Sequence, residues 1–196
     1  MANSTMHILV ELSCGDDLRA EAAVAIIANL SLIEEQELIN ELRKMMNLKD
    51  INARWWAVRA LAGFSKQSIY SLLLEGLNDI DASVRQCAAL GLCFHPNSQA
   101  VNPLIKALDD TDRLAASLAA DALAAIGPLS VPALIEVMSN GSQTARINAV
   151  RTLAKIGDER ALPVLLAALD EDSSLMVYWA NEGLTRMDLG MVYFQP

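Results

Sequence analysis

Residues 81–92 read Asp-Ala-Ser-Val-Arg-Gln-Cys-Ala-Ala-Leu-Gly-Leu. The stretch has a polar start, an Arg four residues on, an Ala after seven and a Leu after eleven. Four other segments share the polar start, the Ala and the Leu at the same offsets, and two of them, with Arg54 and Arg146, share the Arg as well. They run from Asp50 to Leu61, Asp112 to Leu123, Ser142 to Leu153 and Ser173 to Leu184. The closing leucines lie 31, 31, 30 and 31 residues apart. Four residues before each stands Ala57, Ala88, Ala119, Ala149 or Ala180. Self-similarity at a fixed period of this length is the mark of a repeat array.

Each position has a physical reason. Asp or Ser at the start is a helix N-cap, whose side-chain oxygen accepts from a free N–H of the first turn. Ala lets a neighbouring helix approach, and the Leu four residues later fills the same face. Small residues (Ala60, Gly91, Ala122, Thr152, Gly183) precede the leucines, as close packing requires. Asp50/Arg54 and Asp81/Arg85 are spaced as i,i+4 pairs on a helix surface. A second helix type alternates with the first. Pro103, Pro132 and Pro163 each open an apolar run, where a missing N–H costs nothing. One unit begins at Ser68 without proline. Gly127 and Gly157 fall where C-caps belong. Each unit is therefore a pair of helices of about ten residues each.

The expected architecture is all-α: a right-handed α-solenoid of about five to six antiparallel helix pairs, with a repeat length of 30–31 residues. Residues 1–196 form a single array, with regular repeats over 50–187. Residues 1–49 are an atypical capping unit, a degraded copy in which Arg19, Ala22 and Ile26 take the repeat positions. Residues 1–50 hold nine acidic and four basic residues, which suits a solvated array end. Residues 188–196 form a tail, of which Gly190 to Pro196 folds over the last unit as a cap.

Composition agrees and excludes other classes. The chain has 30 Ala and 30 Leu but only 5% aromatic residues, which favours helices over sheets. A net charge of −9 without any long basic run argues against nucleic acid and anionic membranes as partners. Mean hydropathy is +0.28, yet the most apolar stretch, Leu114 to Ile126, contains Asp121 and is too short to span a bilayer. The N-terminal stretch does not read as a signal peptide. Cys14, Cys87 and Cys93 have no metal spacing and read as reduced thiols, pointing to the cytoplasm.

The segment Ala82 to Leu92 and the run Lys155-Ile-Gly-Asp-Glu-Arg-Ala-Leu-Pro163-Val-Leu-Leu-Ala-Ala-Leu resemble HEAT repeats of the short, phycobilisome-lyase-like kind. The resemblance covers roughly residues 16–187. It implies an α-solenoid, with bilin-attachment lyases and plain interaction scaffolds among its members. The chain departs from the pattern at Ala116 and Val177, which replace the family's Arg. It departs again at Trp55-Trp56 and Tyr178-Trp179, where small or polar residues are usual.

In a solenoid of this kind the second helices line the concave face. Counting back from each Leu, offsets −7, −4 and 0 belong to the core. Offsets −6 and −2 form a second ladder: Trp55/Arg59, Gln86/Leu90, Ser117/Asp121, Ile147/Arg151 and Tyr178/Glu182. All three tryptophans fall at −6 or −5. Those at −5, Trp56 and Trp179, read as packing residues. Trp55 and Tyr178 read as exposed anchors, since Trp, Tyr and Arg dominate binding hot spots. The expected partner-binding residues are Trp55, Arg59, Leu90, Asp121, Arg151, Tyr178 and Glu182.

Enzyme chemistry finds little support. His7 and His95 lack a metal-ligand partner at helical spacing. Cys87 and Cys93 read as packing residues. Asp109-Asp110 and Asp170-Glu171-Asp172 fall in turns, and no Gly-rich phosphate loop occurs. A glycosylase of the HEAT type would need a basic groove. The expectation is a non-catalytic scaffold binding a protein partner, with no catalytic residues, cofactor, metal, nucleic acid or membrane, as a monomer or weak dimer in the cytoplasm. The alternative, carried by the resemblance, is a tetrapyrrole lyase or chaperone-like component.

Overall fold

The computed structural model describes residues 4–64 and 69–188. Ser68 and the tail Gly190 to Pro196 lie outside the described residues. The chain divides into two compact units, residues 1–95 and 96–196. The first contains α1 (Ser4–Leu12), α2 (Asp17–Ala25), α3 (Leu32–Met45), α4 (Ile51–Leu61), α5 (Tyr70–Gly76) and α6 (Ala82–Phe94). The second contains α7 (Val101–Ala107), α8 (Arg113–Ile126), α9 (Val131–Asn140), α10 (Gln143–Ile156), α11 (Leu162–Ala167) and α12 (Ser174–Arg186). These are three helix pairs per unit, and the remaining regular structure among the described residues is short 3-10 turns. The expected helix-pair architecture is therefore present, with six pairs. None of the described helices is long and apolar enough to cross a membrane.

The repeat positions explain the packing. Within the first unit α2 packs on α4 and α4 on α6; within the second, α8 packs on α10 and α10 on α12. The −4 alanines and the closing leucines are all buried to within 1% of complete. The −1 residues are buried too, and two of them are tight. A Cβ on Gly183 would meet Ala154 Cβ at 2.9 Å, and one on Gly91 would meet Ala62 Cβ at 3.1 Å. Second helices can stack at this distance only because the contact residues are small.

The caps form largely as read. Asp50 accepts from Asn52 N–H, Asp81 from Ser83, Asp112 from Ala115 and Ser142 from Ala145. Ser173 holds the N-cap place but makes no side-chain cap bond. Its carbonyl accepts from Val177 N–H at 3.0 Å, a backbone bond that the other four caps also make, so this helix starts on its backbone alone. Gly127 and Gly157 close α8 and α10 with φ +75° and +67°, a region that glycine enters without strain. The prolines sit slightly deeper than first position. Pro103 is third in α7, while Pro132 and Pro163 are second in α9 and α11. The cost is still avoided, because the first four N–H groups of a helix have no intrahelical acceptor.

The first helix pair corrects the expected register by one residue. Asp16 is the N-cap of α2, accepting from Leu18 and Arg19 N–H groups. Counting four, seven and eleven from it gives Ala20, Ala23 and Ile27, which are 1%, 4% and 1% exposed. Ala22 is exposed, Ile26 is 38% exposed, and Arg19 turns back to bind Glu11 at 2.7 and 2.9 Å. Both oxygens of Glu11 are engaged, and the Arg19 hydrogen bond holds its carboxyl below the usual range. This pair is not polar all round, since Met6, Val10 and Leu18 are exposed.

The expected i,i+4 surface pairs do not form either. Arg54 is buried and gives two bonds to Asp79, at 2.7 and 2.8 Å. It gives two more to the carbonyls of Leu48 and Lys49, both at 3.1 Å. Arg85 likewise reaches the carbonyls of Asp79 and Ile80. Arg146 bonds the Met138 carbonyl and pairs with Glu171. The −7 position faces the inter-helix turns rather than solvent, so its arginine ties one turn to the next. Burial pushes the Asp79 carboxyl up, but the hydrogen bonds from Arg54 and from Asp81 N–H outweigh it and bring it below its ordinary value. Two of the turn acids are thus tied into the fold: Glu171 by Arg146, and Asp109 by Ser142 Oγ at 2.5 Å.

Candidate partner-binding face

With the register corrected, the −6/−2 ladder begins one pair earlier, at Glu21/Ala25 on α2. In the first unit it continues with Trp55/Arg59 on α4 and Gln86/Leu90 on α6. In the second unit it comprises Ser117/Asp121 on α8, Ile147/Arg151 on α10 and Tyr178/Glu182 on α12. Counting the first helix from Ile26 misses Glu21. Counting from the cap at Asp16 finds it.

One contact recurs in both units. The −2 arginine of a second helix reaches back to the −6 residue of the preceding second helix. Arg59 pairs with Glu21. Arg151 donates to Ser117 Oγ and to the Ser117 carbonyl, each at 2.9 Å. Arg151 also meets Asp121 at 3.2 Å, which Lys155 approaches at 2.6 Å. Its Nε is buried without a hydrogen-bond partner. Glu182 is paired with Arg186 at 3.1 Å on its own helix. The charged members of the ladder are therefore engaged within the chain.

Apolar members of the ladder also keep surface open, with Ile147 half-buried. Leu90 is 40% exposed and Tyr178 57% exposed. Trp55 is half-buried and stands edge-to-face against Trp56, with centroids 4.8 Å apart at 90°. Tyr178 and Trp179 repeat the arrangement at 5.0 Å and 75°. Trp56 is buried at −5, as read; Trp179 is only half-buried. In the first unit a cleft of about 410 Å³ opens between Asp17, Glu21, Asn52, Trp55, Trp56 and Ser83. A second space, of about 270 Å³, continues past Trp56 and Asn52 toward Gly15 and Leu48.

The reactive groups are placed for structure. Burial pushes the Cys87 thiol up to about 12, so it stays protonated and a poor nucleophile at neutral pH. His95 Nε2 bonds the Ala62 carbonyl at 2.7 Å. His7 lies 3.8 Å from Glu11. Among the described residues no group of three or more His, Cys, Asp or Glu is arranged to hold a metal ion.

Comparison with known proteins agrees with this architecture. HEAT repeats match residues 70–131 and 101–185. An uncharacterized phycocyanin operon protein Z of Pseudanabaena tenuis is 26% identical over 79% of this chain and 82% of its own length. A phycocyanobilin lyase subunit beta of the same organism is 34% identical over 55% of this chain. The match spans only 38% of that relative. Among solved structures, the complex of CpcE and CpcF of phycocyanin lyase from Nostoc sp. PCC7120 aligns with a TM-score of 0.54 at 17% identity. That alignment covers 93% of this chain and 76% of the other. The solenoid built from these helix pairs, and the repeats matched over more than half its length, make the chain a member of the HEAT-repeat family.

Proposed function

We propose that the chain is a non-catalytic scaffold that binds a partner polypeptide on the −6/−2 face of its second helices. The observation that carries this reading is the split within the ladder. Its charged residues are tied up internally, while Trp55, Leu90 and Tyr178 keep apolar surface open in a chain otherwise poor in aromatics. In this reading Arg59, Asp121, Arg151 and Glu182 set the polar rim of the contact, and the three apolar side chains anchor it. The names of its relatives, a lyase subunit and a phycocyanin operon protein, support a partner among bilin-carrying proteins or their assembly factors. A net charge of −9 supports action without nucleic acid. In this reading the chain works as a monomer or weak dimer, and its free cysteines favour the cytoplasm.

Affinity capture from a lysate of the source organism, read by mass spectrometry, tests it. The unchanged chain is expected to retain a discrete polypeptide, and Trp55→Ala with Tyr178→Ala to reduce retention about tenfold or more at unchanged helicity. Equal retention by both overturns the reading.

The 34% identical lyase subunit favours a second reading, a tetrapyrrole-handling lyase or chaperone-like component. Mixing with phycocyanobilin should then shift the pigment's visible band. An unchanged spectrum removes this reading.

A further inference from the structure

We propose that the cleft at Trp55 and Trp56 is a receptor for a cationic side chain, the guanidinium of an Arg or the ammonium of a Lys, presented by the partner polypeptide. The inference rests on the interaction reading above and adds the chemistry of what is gripped.

The lining itself selects the ligand. Its six described residues are two carboxylates, two indoles, an amide and a hydroxyl. No basic residue and no aliphatic residue is among them. An anion would face Asp17 and Glu21. A purely apolar group would strip water from those carboxylates and from Asn52 and Ser83 without replacing their hydrogen bonds. A cation meets both parts of the wall: the indoles through their electron-rich faces and the carboxylates through charge-assisted hydrogen bonds.

One carboxylate of this wall already holds a cation of the chain itself. Arg59, one turn beyond Trp55 on α4, places its own guanidinium on Glu21. A carboxylate has lone pairs for further donors, so Glu21 can accept from a second cation across the cleft. Asp17 is exposed in the first turn of α2. It is not the cap of that helix, a role held by Asp16, so it can serve a ligand without loosening the helix start. Asp50 borders the continuing space on the other side of Trp56 and adds negative charge there.

The two indoles are held for the task. Trp56 is 8% exposed and anchors the pair in the core. Its edge-to-face contact fixes the ring of Trp55, whose remaining surface borders the cleft. A rigid aromatic wall loses little conformational freedom on binding.

The test uses the full chain, with the three indole N–H signals followed by NMR. The probes are end-blocked tetra-arginine, tetra-lysine and tetra-glutamate peptides. The two cationic peptides are expected to shift the Trp55 and Trp56 signals saturably and to leave Trp179 in place, while tetra-glutamate shifts none. Asp17→Asn, which keeps the Asp16 cap, is expected to weaken tetra-arginine binding about fivefold or more. Asp172→Asn, in the second unit, is expected to leave it unchanged. No saturable shift, an equal response to tetra-glutamate, or equal weakening by both substitutions overturns the proposal. The capture experiment separates it from the broader reading. If retention depends on Trp55 and Tyr178 while tetra-arginine moves no indole, the scaffold stands and the cation site falls. If tetra-arginine binds as described but retention ignores both residues, the cation site stands and the scaffold reading falls.

Discussion

Trp55-Trp56 and Tyr178-Trp179 occupy the same two offsets and adopt the same edge-to-face geometry, yet they are buried differently. Trp56 is 8% exposed and its neighbour half-buried; Trp179 is half-buried and Tyr178 57% exposed. The difference lies in what flanks the helix. Within its unit α4 packs against α2 on one side and α6 on the other. Within its unit α12 packs against α10 and α11, and no described helix follows it in the chain. The offset decides which way a side chain points, and the place in the array decides how much covers it. The arginine ties differ between the units as well. Arg54–Asp79 is nearly closed to solvent, with side chains 10% and 12% exposed, whereas Arg146–Glu171 is 24% and 31% exposed.

The largest effect should come from the aromatic pairs. Trp56→Ala is expected to lose about 3–5 kcal/mol of unfolding free energy, the range for a large buried aromatic. Trp179→Ala should lose about 1–2 kcal/mol, because less of its surface leaves water on folding. Urea unfolding of both variants measures the gap, and equal losses would break the comparison. Next come the ties. Arg54→Ala leaves the largely shielded Asp79 carboxylate without its partner and should cost about 2–4 kcal/mol. Arg146→Ala leaves a better-solvated Glu171 and should cost about 1 kcal/mol. The Asp79 carboxyl lies below its ordinary value of 3.8 in the folded chain. Its contribution is thus fully present above pH 3.8 and fades as the pH falls through the lower folded value. Unfolding midpoints across that acid range should fall more steeply for the unchanged chain than for Arg54→Ala. The smallest effect belongs to the ladder stitches. Arg151→Gln should cost about 1 kcal/mol and the better-solvated Arg59→Gln about 0.5 kcal/mol or less, by thermal melts.

The parts legible in the sequence are those governed by one helix. Asp81, Ala88 and Leu92 each do a job set by position within eleven residues, so counting finds them. The cap at Asp16 obeys the same count, and the first pair is misplaced only when counting starts from Ile26 instead. Arg54 is illegible for a different reason. Its partner lies 25 residues away, in a turn that only the stacking of helix pairs brings near. Glu21 joins the candidate face by the same route, since its tie to Arg59 spans 38 residues. Local spacing reports the helix; pairing between repeats needs the fold.

Asn52 and Ser83, in the first turns of α4 and α6, border the same cleft as Asp17 in the first turn of α2. Three helix dipoles thus present their positive ends to one edge, each equivalent to about half a unit charge. Side by side these ends repel. The aspartates at 16, 17, 50 and 81 stand at or beside these helix starts and oppose that field. Part of the chain's acidity is therefore counter-charge to its own backbone.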